Sequence, residues 1–201
     1  VSSFIPELIV HKLPGEIVTE EHLEFILDKT AEFDALIVGP GIGKQEQTRN
    51  AIIELVKNSN NIVLDADAIF DFNFKHSNIL LTPHKGEMKR LTASSKPEDL
   101  LEYASKNGVT LLVKGEVDII TDGNLMKENR SGHPRMTVGG TGDVLAGVCG
   151  AFVAKGLTPF ESARLAAYSL GKAGENCYEE IGAGFLPTDL TLSLSKVLRR
   201  N

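Results

Sequence analysis

Cysteine is scarce in this chain of 201 residues: Cys149 and Cys177 are the only two, both in apolar or helical contexts without metal-ligand spacing. A lone pair of thiols is no disulfide framework, and the reading that follows is a reducing cytoplasm with both thiols structural. Positive charge is short as well, with 21 Lys and Arg against 27 Asp and Glu and a formal net charge of −6. No basic stripe exists that could neutralise a run of phosphates, so no nucleic-acid partner is expected. Long apolar runs are missing. The longest, Val144 to Ala154, contains two glycines and stops at Lys155, well short of the roughly 20 residues a membrane-spanning helix needs; no membrane partner is expected either. Proline is sparse, 8 residues against 19 glycines, and the balance of 42% hydrophobic to 24% charged residues excludes disordered, collagen-like and repeat chains. The opening VSSFIPELIV has neither a charged n-region nor a small-residue cleavage site. It reads as a chain entered partway, with Glu7 to His11 as a short strand and no targeting segment.

What is present is the pattern of one α/β domain over residues 1–201, with no linker to split it. Apolar runs without alternation at Ala35 to Val38, Asn61 to Leu64, Asn78 to Leu81 and Val109 to Val113 suit strands buried on both faces. Helical spacing lies between them at Lys44 to Asn58 and Lys96 to Lys106, which predicts a mainly parallel central sheet flanked by helices. Asp118 to Thr121, the turn at residues 122–124 and Leu125 to Glu128 read as an antiparallel hairpin appended to it. Beyond Gly142 the chain reads as helical, in segments Asp143 to Lys155, Pro159 to Ile181 and Pro187 to Arg199.

Five features fall where strands end. Gly139-Gly140-Thr141-Gly142-Asp143 runs into a helix, and glycine amides at a helix N-terminus make an anion site. Gly142 is expected to hold a positive φ there. Asp143 suits a base that takes a proton from an attacking hydroxyl, and equally suits a helix cap. The loop Gly39-Pro40-Gly41-Ile42-Gly43 has neither dinucleotide nor Walker spacing and reads as a ligand loop or a tight turn. Asp65 and Asp67 could hold magnesium through water, bind a sugar hydroxyl, or cap the following turn. Thr82-Pro83-His84-Lys85-Gly86-Glu87 brings His84 and Glu87 to the same rim, and Lys114 is either a point charge for phosphate or a solvated strand end. His11, His22, His76 and the pair Glu20-Glu21 fall into no usable arrangement.

Taken in order, GPGIG, VLDADAI, TPHKGE, VKGEVDII, GHPRMTVGGTGDVLAG and GFLPTDL resemble the ribokinase-like NAD(P)H-hydrate dehydratases, carbohydrate-kinase-related repair enzymes. The resemblance runs from about Glu7 to the end. It implies a lyase in which ADP or ATP with magnesium drives dehydration of hydrated NADH or NADPH back to the reduced cofactor. By motif, Gly41, Gly43 and His84 would contact the hydrated dinucleotide; Lys114, Gly115, Glu116, Val117, Asp118, Gly140, Thr141 and Gly142 the adenine nucleotide; Asp143 the substrate hydroxyl, as the catalytic residue; and Glu87 magnesium, through water. Lys85 stands where the family commonly has proline, Asp118 where it has threonine, and His133 and Arg135 where it has asparagine and glycine. Relatives carry a further strand, glycine-rich turn and helix before the segment PELIV, so the N-terminal portion of the family fold is expected to be missing here. The family leaves room for homo-oligomers and for an NAD(P)H-hydrate epimerase, fused or separate. Two other readings stay open: a small-alcohol kinase of the hydroxyethylthiazole type, and a catalytically weak nucleotide-binding fragment.

Overall fold

The structure, a computed structural model, describes residues 8–71 and 78–199. One six-stranded sheet runs in sequence order: β1 Leu36–Val38, β2 Ile62–Leu64, β3 Ile79–Leu81, β4 Thr110–Val113, β5 Asp118–Thr121 and β6 Met126–Asn129. β1 to β4 pair in parallel, and β5 and β6 fold back antiparallel, as the hairpin pattern predicts. Successive side chains of a strand point to opposite faces. Val63, Leu80, Leu112 and Ile120 therefore enter one core, while Ile62, Leu64, Ile79, Leu81, Leu111 and Val113 enter the other. Unbroken Val, Ile and Leu runs are what such two-sided burial requires.

Helices α1 Leu23–Thr30, α2 Glu46–Lys57, α3 Lys85–Thr92 and α4 Pro97–Asn107 contribute apolar residues to the second core, and α5 Thr141–Ala154, α6 Pro159–Ile181 and α7 Pro187–Leu198 to the first. Their ends follow local rules. α4 opens on Pro97 and stops at left-handed Gly108, and Thr158 and Glu161 form a capping box before Pro159 opens α6. Two readings change. Residues 9–13 carry no regular structure, so the described part of the expected strand from Glu7 to His11 is absent, Glu7 itself lying outside the described residues. Conversely, Glu20, Glu21 and His22 form a 3-10 turn that leads into α1, with His22 buried and its Nδ1 accepting the Thr19 N–H at 3.0 Å. His76 lies outside the described residues.

No helix among the described residues is long and apolar enough to cross a membrane. Cys149 and Cys177 are free and buried, and burial pushes both thiols up from their ordinary value, which suits packing groups.

Candidate active site

The C-terminal ends of β1 to β4 lead into the glycine loop at residues 39–43, Asp65 and Asp67, His84 and Glu87, and Lys114, on the rim at which open α/β sheets bind ligands. At its centre Asp65 leaves β2 only 2% exposed. Its Oδ1 accepts from Thr82 Oγ1, beyond β3, at 2.7 Å and from Lys114 Nζ, beyond β4, at 2.8 Å. One carboxylate thus ties three adjacent strand ends together. Lys114 is neither a solvated strand end nor unpartnered: its side chain is 21% exposed, and its backbone N–H donates to the Pro83 carbonyl at 2.8 Å, which holds it beside His84.

The first turn of α5 sits over this pair. Gly140 is the N-cap, with φ of 95°, and its carbonyl accepts the Val144 N–H at 3.1 Å. Gly142, by contrast, is helical and not among the positive-φ residues, which corrects the expectation made for it. What it supplies is space: a Cβ there would stand 3.3 Å from Lys114 Nζ and 3.9 Å from Asp65 Oδ2. Asp143 is the third residue of the helix and exposed, not the cap. Its carboxylate has no hydrogen bond or ion pair among the described residues. The Thr141 N–H donates to the Val138 carbonyl at 3.4 Å, so the amides left to an anion are those of its glycine neighbours; with a helix N-terminus and an ammonium they attract an anion, and an uncommitted carboxylate beside them can accept a proton.

The glycine loop is held from the next strand. Gly43 donates its N–H to Asp67 Oδ2 at 3.2 Å, and Lys44 Nζ lies 3.3 Å from Asp67 Oδ1, so Asp67 braces the loop; this role was not visible in the sequence. At Gly39, φ is 137° and a Cβ would run into the Asp65 carbonyl. Around Gly41 nothing lies within 4 Å of a Cβ position, leaving its backbone open to close approach.

His84 caps α3. Its Nδ1 accepts the Gly86 and Glu87 N–H groups at 2.9 and 3.2 Å, which assigns the ring proton to Nε2, on the half-exposed side of the ring. Glu87 completes the capping box, Oε2 accepting the His84 N–H at 2.8 Å. Among the described residues its Oε1 has one polar neighbour, the His84 ring at 3.5 Å. Among the described residues no three His, Cys, Asp or Glu side chains could together hold a metal ion. Glu87 is buried, which leaves Oε1 alone for any further partner.

Gly115, Glu116 and Val117 form the turn from β4 into β5, with Gly115 and Glu116 exposed. Asp118 does not face that space as a free acid: its Oδ1 accepts the Gly115 N–H at 3.0 Å and its Oδ2 the Asn129 amide at 2.9 Å. Burial holds its carboxyl above the usual range. Lys85 lies against Gly115, its Cε 2.9 Å from where a Cβ would be. On the other side, residues 131–136 rest on α6. Gly171 and Gly174 leave room for Ser131 and Met136, Glu175 accepts the Gly132 N–H at 2.9 Å, and His133 stacks on Tyr178 at 3.7 Å. The segment leads straight into Gly139, and Gly140 packs against Pro187 of the GFLPTDL motif.

The structure thus brings Lys114 and Gly142 into one cluster, with His84 one strand end away; the glycine loop meets it at Gly39, against the Asp65 carbonyl, while Asp67 holds Gly43 and Lys44. Sequence reasoning missed Asp65 as the partner of Lys114. The only signal was that both residues directly follow apolar strands.

Comparison with known proteins bears on the family and the fold. A family model described as NAD(P)H-hydrate dehydratase matches residues 1–196. The chain is 37% identical over 200 residues to the bifunctional NAD(P)H-hydrate repair enzyme Nnr of Archaeoglobus fulgidus, a match that covers 100% of this chain but 42% of that enzyme. The chain therefore spans about two fifths of that relative's length. Among solved structures, an ADP/ATP-dependent NAD(P)H-hydrate dehydratase from Bacillus subtilis, co-crystallized with ATP and magnesium, superposes with a TM-score of 0.77 at 25% identity over 87% of this chain and 69% of that one. A ribokinase-like superfamily protein from Enterococcus faecalis gives a TM-score of 0.80 at 22% identity, over 91% and 69% of the two chains. The last likeness shows the fold alone, and it is the ribokinase-like fold.

Proposed function

The chain belongs to the NAD(P)H-hydrate dehydratase family, and from that premise we propose that it uses ADP or ATP with magnesium to dehydrate hydrated NADH or NADPH back to the reduced cofactor. The observation that carries the reading is Asp143. It is an uncommitted, exposed carboxylate on the first turn of a helix whose N-terminus lies over a lysine. Once phosphate is bound, a carboxylate beside it is unfavourable unless it handles a proton.

The hydrated dinucleotide lies along Gly41, Gly43 and His84, with its C6 hydroxyl at Asp143. The nucleotide lies along Lys114 to Asp118, its terminal phosphoryl group over Gly140, Thr141 and Gly142. As the hydroxyl oxygen bonds to phosphorus and the bridging phosphorus–oxygen bond breaks, Asp143 takes the hydroxyl proton. The amides and Lys114 stabilise the charge that gathers on the transferring group. The phosphoester then loses inorganic phosphate, driven by the ring nitrogen lone pair, and the C5 proton leaves to restore the dihydropyridine. Glu87 would hold magnesium through water, and the ion would supply neutralisation of phosphate charge. Asp118 keeps the Gly115 turn closed, which reconciles its negative charge with a nucleotide nearby. Such a reaction belongs to cytoplasmic cofactor repair, with an NAD(P)H-hydrate epimerase, fused or separate, as its natural companion.

The test is to mix the protein with hydrated NADH, magnesium and either nucleotide and to follow absorbance of the reduced nicotinamide. Recovery of that absorbance, with one nucleotide phosphate bond cleaved per cofactor restored, is the expected result. No recovery with either nucleotide overturns the reading, and accumulation of a stable phosphorylated alcohol makes the protein a kinase instead.

A further inference from the structure

We infer that Asp65 is a positioning residue for nucleotide binding, fixing the Lys114 ammonium so that its remaining N–H bonds face the anion site at the start of α5. The inference rests on the reading of Lys114 and Gly142 given above, and it adds a residue to which that reading gives no role. Lysine carries a compact charge on a flexible four-carbon stem, so its value to a phosphate depends on what holds it. Here the hold is specific. Asp65 is fully enclosed at the end of β2, and Thr82 Oγ1 pins the same Oδ1 that accepts from Lys114, so the carboxylate cannot swing away from the lysine. An ammonium has three N–H bonds. One is spent on Asp65, and the ammonium lies nearer the Gly142 position than Asp65 Oδ2 does, 3.3 against 3.9 Å. Cation and carboxylate thus both lie beneath the first turn of α5, and an anion there meets a pair whose ammonium still has N–H bonds to give. A bare carboxylate at this depth would repel phosphate, whereas one paired with Lys114 anchors the charge that attracts it.

The competing account is that Asp65 merely braces β2, β3 and β4. The two differ in what couples to what. Asp65→Asn keeps the side-chain shape and the acceptor for Thr82 but removes the charge that holds the lysine. Titration calorimetry with magnesium-ADP and magnesium-ATP on Asp65→Asn, Lys114→Met and the double variant, with melting measured separately, reads the coupling. Loss of a charged hydrogen bond predicts nucleotide binding weaker by about tenfold or more in Asp65→Asn, with the KM for hydrated NADH held within about twofold. The double variant should bind no more weakly than Lys114→Met alone. Wild-type affinity in Asp65→Asn while Lys114→Met binds poorly, or additive losses in the double variant, overturns the inference and leaves the nucleotide site standing. Failure of the wild-type chain to bind either nucleotide overturns both. Should Asp65→Asn fail to fold, Thr82→Val frees the carboxylate without removing it. A weaker nucleotide affinity in that variant supports the inference, and an unchanged one overturns it.

Discussion

Asp143 and Gly142 occupy neighbouring positions on one helical turn and have opposite relations to the fold. Asp143 supports nothing structurally: it lies inside the helix and past the cap, and its carboxylate is uncommitted. Asp143→Asn should therefore fold as the parent does, losing only the favourable interaction of a first-turn acid with the helix dipole, about 0.3–1 kcal/mol or a few degrees of melting temperature. Turnover should fall by roughly 100-fold or more once the proton acceptor is gone; a folded variant with near-parental turnover would return Asp143 to the surface. The residue types of this turn were legible in the sequence because GGTGD is a dense local signal. The reason for Gly142 was not, since the lack of room above Lys114 and Asp65 is a matter of three-dimensional approach and not of backbone conformation. Asp65 was hidden for a related reason. It lies 49 residues from Lys114 in sequence, and only the register of β2, β3 and β4 makes the two side chains meet.

Among the elements, the strands and the long helices were readable because each carries its own pattern: two-sided apolar runs for β1 to β4, the Asp122 to Asn124 turn for the hairpin, capping and proline signals for α4 and α6. α1 is hard to read although Leu23, Ile26 and Leu27 have helical spacing, because those residues pack half-buried and the preceding turn, N-capped by Thr19, has a histidine ring where Glu or Gln usually accepts the cap N–H. The loop between β1 and α2 has its shape dictated by a contact that neither segment announces, the approach of Gly39 to the Asp65 carbonyl. Gly39→Ala should displace that carbonyl and with it the strand end that carries Asp65. The expected cost is about 3 kcal/mol or more, from the steric overlap together with the unfavourable φ of 137°. Urea denaturation measures it, and a midpoint equal to the parent's would show that the two loops do not touch as described.

For the whole molecule, the two cores on either side of the sheet set how stability responds to pH. Tyr103 on α4 is buried in the second core, its hydroxyl without a hydrogen-bond partner among the described residues, and burial, with the charge of Asp71, pushes its pKa up from 10.0 to about 12. Between those two values the unfolded chain has released the phenol proton and the folded chain keeps it. The folded state then binds more protons, and stability falls as pH rises through that window. Tyr103→Phe should lessen this alkaline loss, the two raised thiols keeping their share, while leaving stability at neutral pH equal or up to about 1 kcal/mol higher, because an unsatisfied buried hydroxyl is removed; an unchanged alkaline profile in melting curves would contradict the assignment. The central claim concerns the assembled rim: phosphate is transferred to the C6 hydroxyl before that oxygen leaves. Hydrating NADH in oxygen-18 water labels that hydroxyl, and mass spectrometry of the phosphate released during turnover with ADP and magnesium reads where the label goes. The account predicts labelled phosphate in amounts equal to the reduced cofactor formed. Unlabelled phosphate, with the label found in water, would mean that the hydroxyl departs without ever bonding to phosphorus.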